Sequence, residues 1–162
     1  MKQIAKIACL LLGLAISSPF MKAESKKNMN IVFIGNSITQ GALIATPSHD
    51  APPVKAALYL TKQPSVASVK YSNQGVSGCT TTDYLPTTET LFPKAKEAAD
   101  KVADETWATL VFSIMLGTND SAITGPNGAP ASPEKYEENM KAIINQLLAL
   151  YPSCKIVLHR PV

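Results

Sequence analysis

The 162-residue sequence is long enough for one domain, and 46% hydrophobic with 17% charged residues is typical of a chain that buries a core. Its net charge of +3 comes from 15 basic and 12 acidic residues, and three of those lysines, Lys2, Lys6 and Lys22, lie in an N-terminal segment without acids. Without that segment the two signs balance, so the composition argues against nucleic acid as a partner.

Residues 1–23 have the three-part pattern of a secretory signal peptide. A lysine-bearing start is followed by the apolar run IACLLLGLAI at residues 7–16, which Ser17, Ser18 and Pro19 end. The run is shorter than the roughly 20 residues of a membrane-spanning helix, although an N-terminal anchor helix is the alternative. We therefore predict an exported protein, periplasmic or extracellular, without a stable membrane span and cleaved after residue 17 or 23. Residues 24–29 are predicted to be a polar lead-in to one domain over residues 30–162.

Short apolar runs alternate with segments of helical character in that domain. The runs predict four strands, at residues 30–34, 66–71, 109–116 and 155–159. The intervening segments predict helices at residues 53–61, at 93–104 and from a Ser132 cap to a stop at Pro152. Strands that alternate with helices indicate a parallel sheet, whose carboxyl-terminal edge is where ligands bind.

Polar loops follow the first three predicted strands. They are GNSITQG at residues 35–41 (the first loop), NQGVSG at 73–78 (the second loop) and GTND at 117–120 (the third loop). Ser37 would open a helix at the sheet edge, where backbone amides favour developing negative charge, unless it is a plain capping serine. Gly75 would offer an unobstructed N–H and Asn119 a carboxamide N–H, although both types are also ordinary turn residues. Ser37 N–H, Gly75 and Asn119 could together supply three donors to an oxyanion.

Other motifs for this position do not fit. The nucleophile elbow G-x-S-x-G requires a glycine where Thr39 stands, and a P-loop requires a lysine at Gly41. A dinucleotide fingerprint requires a glycine at Ser37. We expect neither a cofactor nor a metal. Cys79 and Cys154 form no C-x-x-C motif, and we expect both to be unpaired.

The three loops resemble, in order and spacing, the motif blocks of the SGNH (GDSL-like) hydrolase family across residues 30–120. The resemblance implies an α/β fold, a three-layer α/β/α flavodoxin-like arrangement whose parallel sheet has strand order 2-1-3-4-5. It also implies a serine ester hydrolase that acts through an acyl-Ser37 intermediate, with Ser37, Gly75 and Asn119 forming the oxyanion hole.

The same resemblance extends to exported carbohydrate O-acetylesterases, including sialate O-acetylesterase-like proteins. It implies a small-molecule or glycan ester as substrate, most plausibly an acetylated carbohydrate. Asn36 stands where the name-giving pattern of the family has an aspartate, which puts little in doubt because that side chain is not the nucleophile. Asp120 is expected to order the loops rather than to take part in the chemistry.

The fourth block of the family, D-x-x-H, which supplies the catalytic histidine, is absent. His49 has Thr46 three residues before it, and His159 has Ile156, so neither fits the pattern. We expect His49 to be a solvated loop residue and His159 to have a structural or substrate-contact role. We also expect the sequence to be the N-terminal portion of a longer hydrolase and to be inactive without its base. The alternative is a non-catalytic pseudoenzyme or carbohydrate-binding fragment.

Overall fold

The computed structural model describes residues 25–122 and 132–161, so the predicted signal peptide lies outside the described residues. The strands are β1 (Lys27–Gly35), β2 (Val66–Gly75), β3 (Ala108–Met115) and β4 (Lys155–Leu158). The helices are α1 (Ser37–Gln40), α2 (Pro47–Asp50), α3 (Pro52–Thr61), α4 (Phe92–Ala103) and α5 (Pro133–Leu150).

The four strands form one parallel sheet in the order β2-β1-β3-β4. Gly35 at the end of β1 pairs with Gly75 on β2 and with Met115 on β3. The carboxyl ends of these three strands therefore lie side by side, and the first, second and third loops leave the sheet at one edge. The predicted parallel α/β sheet is confirmed, and its order matches the first four positions of the expected arrangement.

Helices cover both faces of the sheet, which gives three layers. On one face α4 and α5 bury the larger core, whose members include Val32, Phe112 and Ile143. On the other face Ala56 and Leu60 of α3 pack against a smaller cluster around Ile31, Phe33 and Val111. Successive residues of β1 point to opposite faces, so its continuous apolar run serves both cores.

The start of α5 agrees in detail with the sequence pattern. Ser132 is extended, and its Oγ accepts a hydrogen bond from Lys135 N at 3.2 Å. Pro133 fills the first turn, and Glu134 follows it near the positive helix end. Among the core-facing residues of this helix is Asn139, an amide that is only 3% exposed.

Most element boundaries lie within one or two residues of the predicted ones, and the larger departures are in three places. β1 begins at Lys27, so the last three residues of the predicted lead-in belong to a strand and pair with β2. β2 continues to Gly75 through polar residues, because the ladder to β1 continues there. The short helix α2 was not predicted, since its sequence PSHD resembles a turn.

Candidate active site

Ser37 lies directly beyond the carboxyl end of β1, as the first residue of α1. The preceding residue, Asn36, is the N-cap, and its Oδ1 accepts a hydrogen bond from Ile38 N at 3.0 Å. Helix α1 is a single turn and ends at Gly41, whose φ of 83° favours glycine. Asn36 is 1% exposed whereas Ser37 is half-buried, so the cap is fixed in the core while the serine can be reached.

The end of β2 packs directly against the backbone of α1. A Cβ atom on Gly75 would lie 2.3 Å from Gln40 N and 2.7 Å from the carbonyl carbon of Thr39. Such distances are far inside van der Waals contact, so only a glycine permits this approach. Gly75 thereby sets the spacing between β2 and the turn that carries Ser37.

Two side chains fasten the first loop to the second. Asn73 Nδ2 donates to Thr39 O at 2.9 Å, and Asn73 Oδ1 accepts from Gly75 N at 2.9 Å. In return, Gln40 Oε1 accepts a hydrogen bond from Ser77 N at 2.8 Å. Because each loop holds the backbone of the other, the position of α1 depends on both.

These contacts involve the backbone N–H of Gly75 as well as its missing side chain. Its N–H was expected to donate to an oxyanion, but in this structure that donor is engaged by Asn73 Oδ1. The absence of a side chain at Gly75 is what lets β2 approach α1 so closely. In the same loop Gly78 has a φ of 78°, a left-handed conformation that again favours glycine.

The third loop brings Asn119 next to the segment that follows the second loop. Asn119 Nδ2 donates to Cys79 O at 2.8 Å, which leaves the second hydrogen of that NH₂ group for another acceptor. Asp120 Oδ1 accepts from Thr81 N at 2.8 Å and from Thr81 Oγ1 at 2.5 Å. Asp120 thus ties the third loop to the segment that follows the second loop, while its Oδ2 is buried without a hydrogen-bond partner.

Two other ionisable groups near this edge are buried and neutral. Cys79 is 1% exposed, and its Sγ donates to Gly35 O at 3.2 Å. Burial, reinforced by the negative charge of Asp83, raises the pKa of the Cys79 thiol to about 12. Burial also raises the pKa of Tyr84, whose hydroxyl donates to Gln74 O. Neither group is a nucleophile near neutral pH.

The predictions for the cysteines and for His49 are consistent with the structure. Cys79 and Cys154 are both free and buried. His49 lies in α2, where it is exposed and its Nδ1 is 3.0 Å from Ser48 Oγ. It has no hydrogen bond to Ser37.

His159 is held at β3 rather than at the first loop. Its Nε2 is 2.8 Å from Ser113 Oγ, and its backbone N–H donates to Ile114 O at 2.9 Å. This arrangement fits the structural role that we expected.

Within residues 25–122 and 132–161 no group of three or more His, Cys, Asp or Glu side chains is placed to hold a metal ion. In the same part of the chain, no helix has both the length and the apolar character needed to cross a membrane. A cleft of about 560 Å³ lies between β2 and α4, and its lining includes none of Ser37, Gly75 and Asn119.

Comparison with known proteins agrees with the loop pattern. The family described as GDSL-like lipase/acylhydrolase matches residues 33–162. The chain belongs to this family. No curated protein matches the chain significantly.

Solved structures share the fold at low sequence identity. A catalytic mutant of the acetylxylan esterase Axe2 from Geobacillus stearothermophilus is 20% identical, with a TM-score of 0.56 over 86% of this chain and 62% of that one. A GDSL-like lipase from Parabacteroides merdae is 22% identical, with a TM-score of 0.59 over 83% and 60%. A two-domain esterase active on acetylated mannans is 21% identical, with a TM-score of 0.55 over 82% and 30%. The chain therefore spans less than two thirds of the length of these proteins.

The sequence reasoning missed the residues that hold the loops together. Asn73, Gln40 and Thr81 act through hydrogen bonds to backbone or side-chain atoms more than 30 positions away. The only available signal was their type, an amide or a hydroxyl inside or beside a glycine-containing loop.

Proposed function

We propose that this chain carries the nucleophile and the oxyanion donors of a serine ester hydrolase, with Ser37 as the nucleophile. The observation that carries the proposal is the placement of Ser37, on a capped turn at the end of β1, beside the loop that holds Asn119 at the end of the neighbouring β3. Among the described residues Ser37 N–H donates no hydrogen bond to the protein. It and the second hydrogen of Asn119 Nδ2 are suitable donors to an oxyanion.

The reaction follows from these groups. Ser37 Oγ attacks the ester carbonyl carbon, and the carbonyl oxygen becomes negatively charged while Ser37 N–H and Asn119 Nδ2 stabilise it. The C–O bond to the alcohol then breaks, the alcohol leaves with the proton taken from Ser37, and an acyl-Ser37 ester remains. Water attacks that ester, which releases the carboxylic acid and restores the Ser37 hydroxyl.

Both steps need a base, and neither histidine of the chain is hydrogen-bonded to Ser37. We infer that the 162-residue chain by itself hydrolyses esters slowly. Triad enzymes that lose one member keep only about 10³–10⁴-fold acceleration over water. The engagement of both histidines elsewhere also favours the second candidate, a non-catalytic carbohydrate-binding protein with this fold.

For the substrate we propose an acetyl ester of a carbohydrate. Two of the solved structures with this fold are described by their activity on acetylated xylan and acetylated mannans. Export through the predicted signal peptide would bring the chain to such polymers. The mass of the secreted protein tests whether the signal peptide is cleaved.

Hydrolysis of p-nitrophenyl acetate by the 162-residue chain and by Ser37→Ala tests the mechanism. We expect the 162-residue chain to hydrolyse p-nitrophenyl acetate slowly. Ser37→Ala should reduce that rate to the rate measured without protein (the blank), because the attacking oxygen is lost. Equal rates near the blank for both proteins would favour the non-catalytic alternative. Rapid Ser37-dependent turnover would instead contradict our inference that no base is available.

Acetylated and chemically deacetylated xylan provide a matched pair for the substrate. Acetate release from the acetylated polymer that depends on Ser37 supports a carbohydrate ester. Turnover of p-nitrophenyl acetate without any acetate release from acetylated xylan or mannan would contradict that substrate class.

A further inference from the structure

A buried chain of hydrogen bonds connects helix α5 to the third loop. Asn139 Nδ2 donates to Thr81 Oγ1 at 3.1 Å, and Thr81 Oγ1 donates to Asp120 Oδ1 at 2.5 Å. Asn119 directly precedes Asp120 in the chain, and its Nδ2 donates to Cys79 O. The path therefore runs from α5 to the peptide next to the candidate oxyanion donor.

The Thr81 hydroxyl is chemically required in the middle of this path. Asn139 presents an N–H donor to it, and the Asp120 carboxylate can only accept, so the linking group must accept and donate at once. A hydroxyl does both, whereas valine, which has the same shape, does neither. Serine would preserve the function without the methyl group.

The burial of these groups indicates that the path is not incidental. Thr81 is 0% exposed and Asn139 is 3% exposed. Asn139 lies on the buried face of α5, which also carries Met140, Ile143 and Leu147. An apolar residue would pack at position 139 without the cost of burying an amide, a cost that is largest when the amide is unpaired. Hydrogen bonds between buried polar groups fix one geometry in a way that apolar contacts do not, and three of the groups in this path are so paired, although Asp120 Oδ2 has no hydrogen-bond partner.

We propose that Thr81 and Asn139 are positioning residues that hold Asn119 in place through Asp120. This inference rests on the proposed function only in giving Asn119 its oxyanion role. The hydrogen-bond path orients the third loop whether or not Ser37 turns over. Its consequence is that α5, whose Asn139 is 58 positions from Thr81 in sequence, controls the orientation of the Asn119 amide.

The test compares four variants of the full chain. Thr81→Val breaks the path, Thr81→Ser restores the hydroxyl, and Asn139→Leu breaks the path from the helix side. Asn145→Leu is the matched control, because Asn145 is an exposed amide on the same helix. If Thr81→Val fails to fold, Asn139→Leu tests the same path, since leucine can pack among its apolar neighbours.

The first readout is solvent exchange of the Asn119 side-chain NH₂, measured by NMR, which needs no catalysis. We expect Thr81→Val and Asn139→Leu to raise exchange of the hydrogen bonded to Cys79 O by about tenfold or more, as expected for local opening. Thr81→Ser and Asn145→Leu should stay within about twofold of the parent protein. Unchanged exchange in both path-breaking variants would overturn the proposal.

The second readout is the rate at which a fluorophosphonate labels Ser37, with and without Asn119→Ala. We expect Thr81→Val to slow labelling about tenfold in the parent but to add nothing once Asn119 is gone, because both changes act through one amide. Equal slowing in both backgrounds would show that Thr81 does not act through Asn119. If Asn119→Ala leaves the labelling rate unchanged while Thr81→Val still raises solvent exchange of the Asn119 side-chain NH₂, the oxyanion role of Asn119 fails and the positioning role of Thr81 stands.

Discussion

Replacement of Gly75 by alanine tests the packing that positions Ser37, the proposed nucleophile. The new Cβ would lie 2.3 Å from Gln40 N and 2.9 Å from Gln40 Cα, which are backbone atoms that cannot rotate away. Ordinary contact begins near 3.4 Å, so α1 and β2 must separate by about 1 Å. Overpacked cores lose about 1–3 kcal/mol, and a backbone clash belongs at the upper end, about 3 kcal/mol. For a domain of this size that lowers the melting temperature by roughly 10 °C.

Thermal unfolding followed by far-UV circular dichroism measures this loss, and fluorophosphonate labelling of Ser37 reports the displacement of α1. A 1 Å misplacement of a reacting group can slow a reaction about 10²-fold. Ser77→Ala is the control, because Ser77 is exposed and keeps the backbone N–H that donates to Gln40. A Gly75→Ala protein with the stability and labelling rate of the Ser77→Ala protein would refute the reasoning.

Two further predictions concern the residues around Ser37. Asn36→Ala should lower the free energy of unfolding by about 1 kcal/mol in urea titrations, because Ile38 N loses its acceptor. Asn36→Asp should retain most of the stability, because aspartate can also accept that hydrogen bond. Equal losses of stability in the two variants would argue against the capping role. The folded pKa of Cys79, about 12, lies above that of an unfolded cysteine, so this group stabilises the fold fully below pH about 8.5 and less as the pH rises toward 12. Between pH 9 and 11 the parent protein should lose about 1.4 kcal/mol per pH unit more than Cys79→Ala, and parallel pH profiles would contradict this.

The sequence predicted the placement of the site better than its internal contacts. Ser37 and Asn119 follow strands and Gly75 ends one, and parallel strands must bring such residues to one edge, as the register of Gly35 with Gly75 and Met115 shows. The hydrogen bonds of Asn73, Gln40 and Thr81 could not be predicted, because they depend on side-chain orientations between segments distant in sequence. Periodicity carries no information about such contacts.

Gly75 shows why a glycine is ambiguous in a sequence. A glycine that exposes its N–H to a ligand and a glycine that admits a neighbouring backbone have the same pattern of flanking residues. The distances to Gln40 show that Gly75 admits a neighbouring backbone, and that role can be recognised only once the fold is known. The boundary of β2 failed for a related reason, since its polar end is defined by pairing with β1 rather than by hydropathy.

The reciprocal fastening of the first two loops has a practical consequence for protein engineering. Asn73 holds α1, Gln40 holds the second loop, and Thr81 with Asp120 carries the connection on to the third. A loop transplanted alone from a relative would arrive without the amides that its neighbours need. Exchange of these loops between members of the family would therefore require all three loops to be moved together with Thr81 and the residue at position 139 of α5.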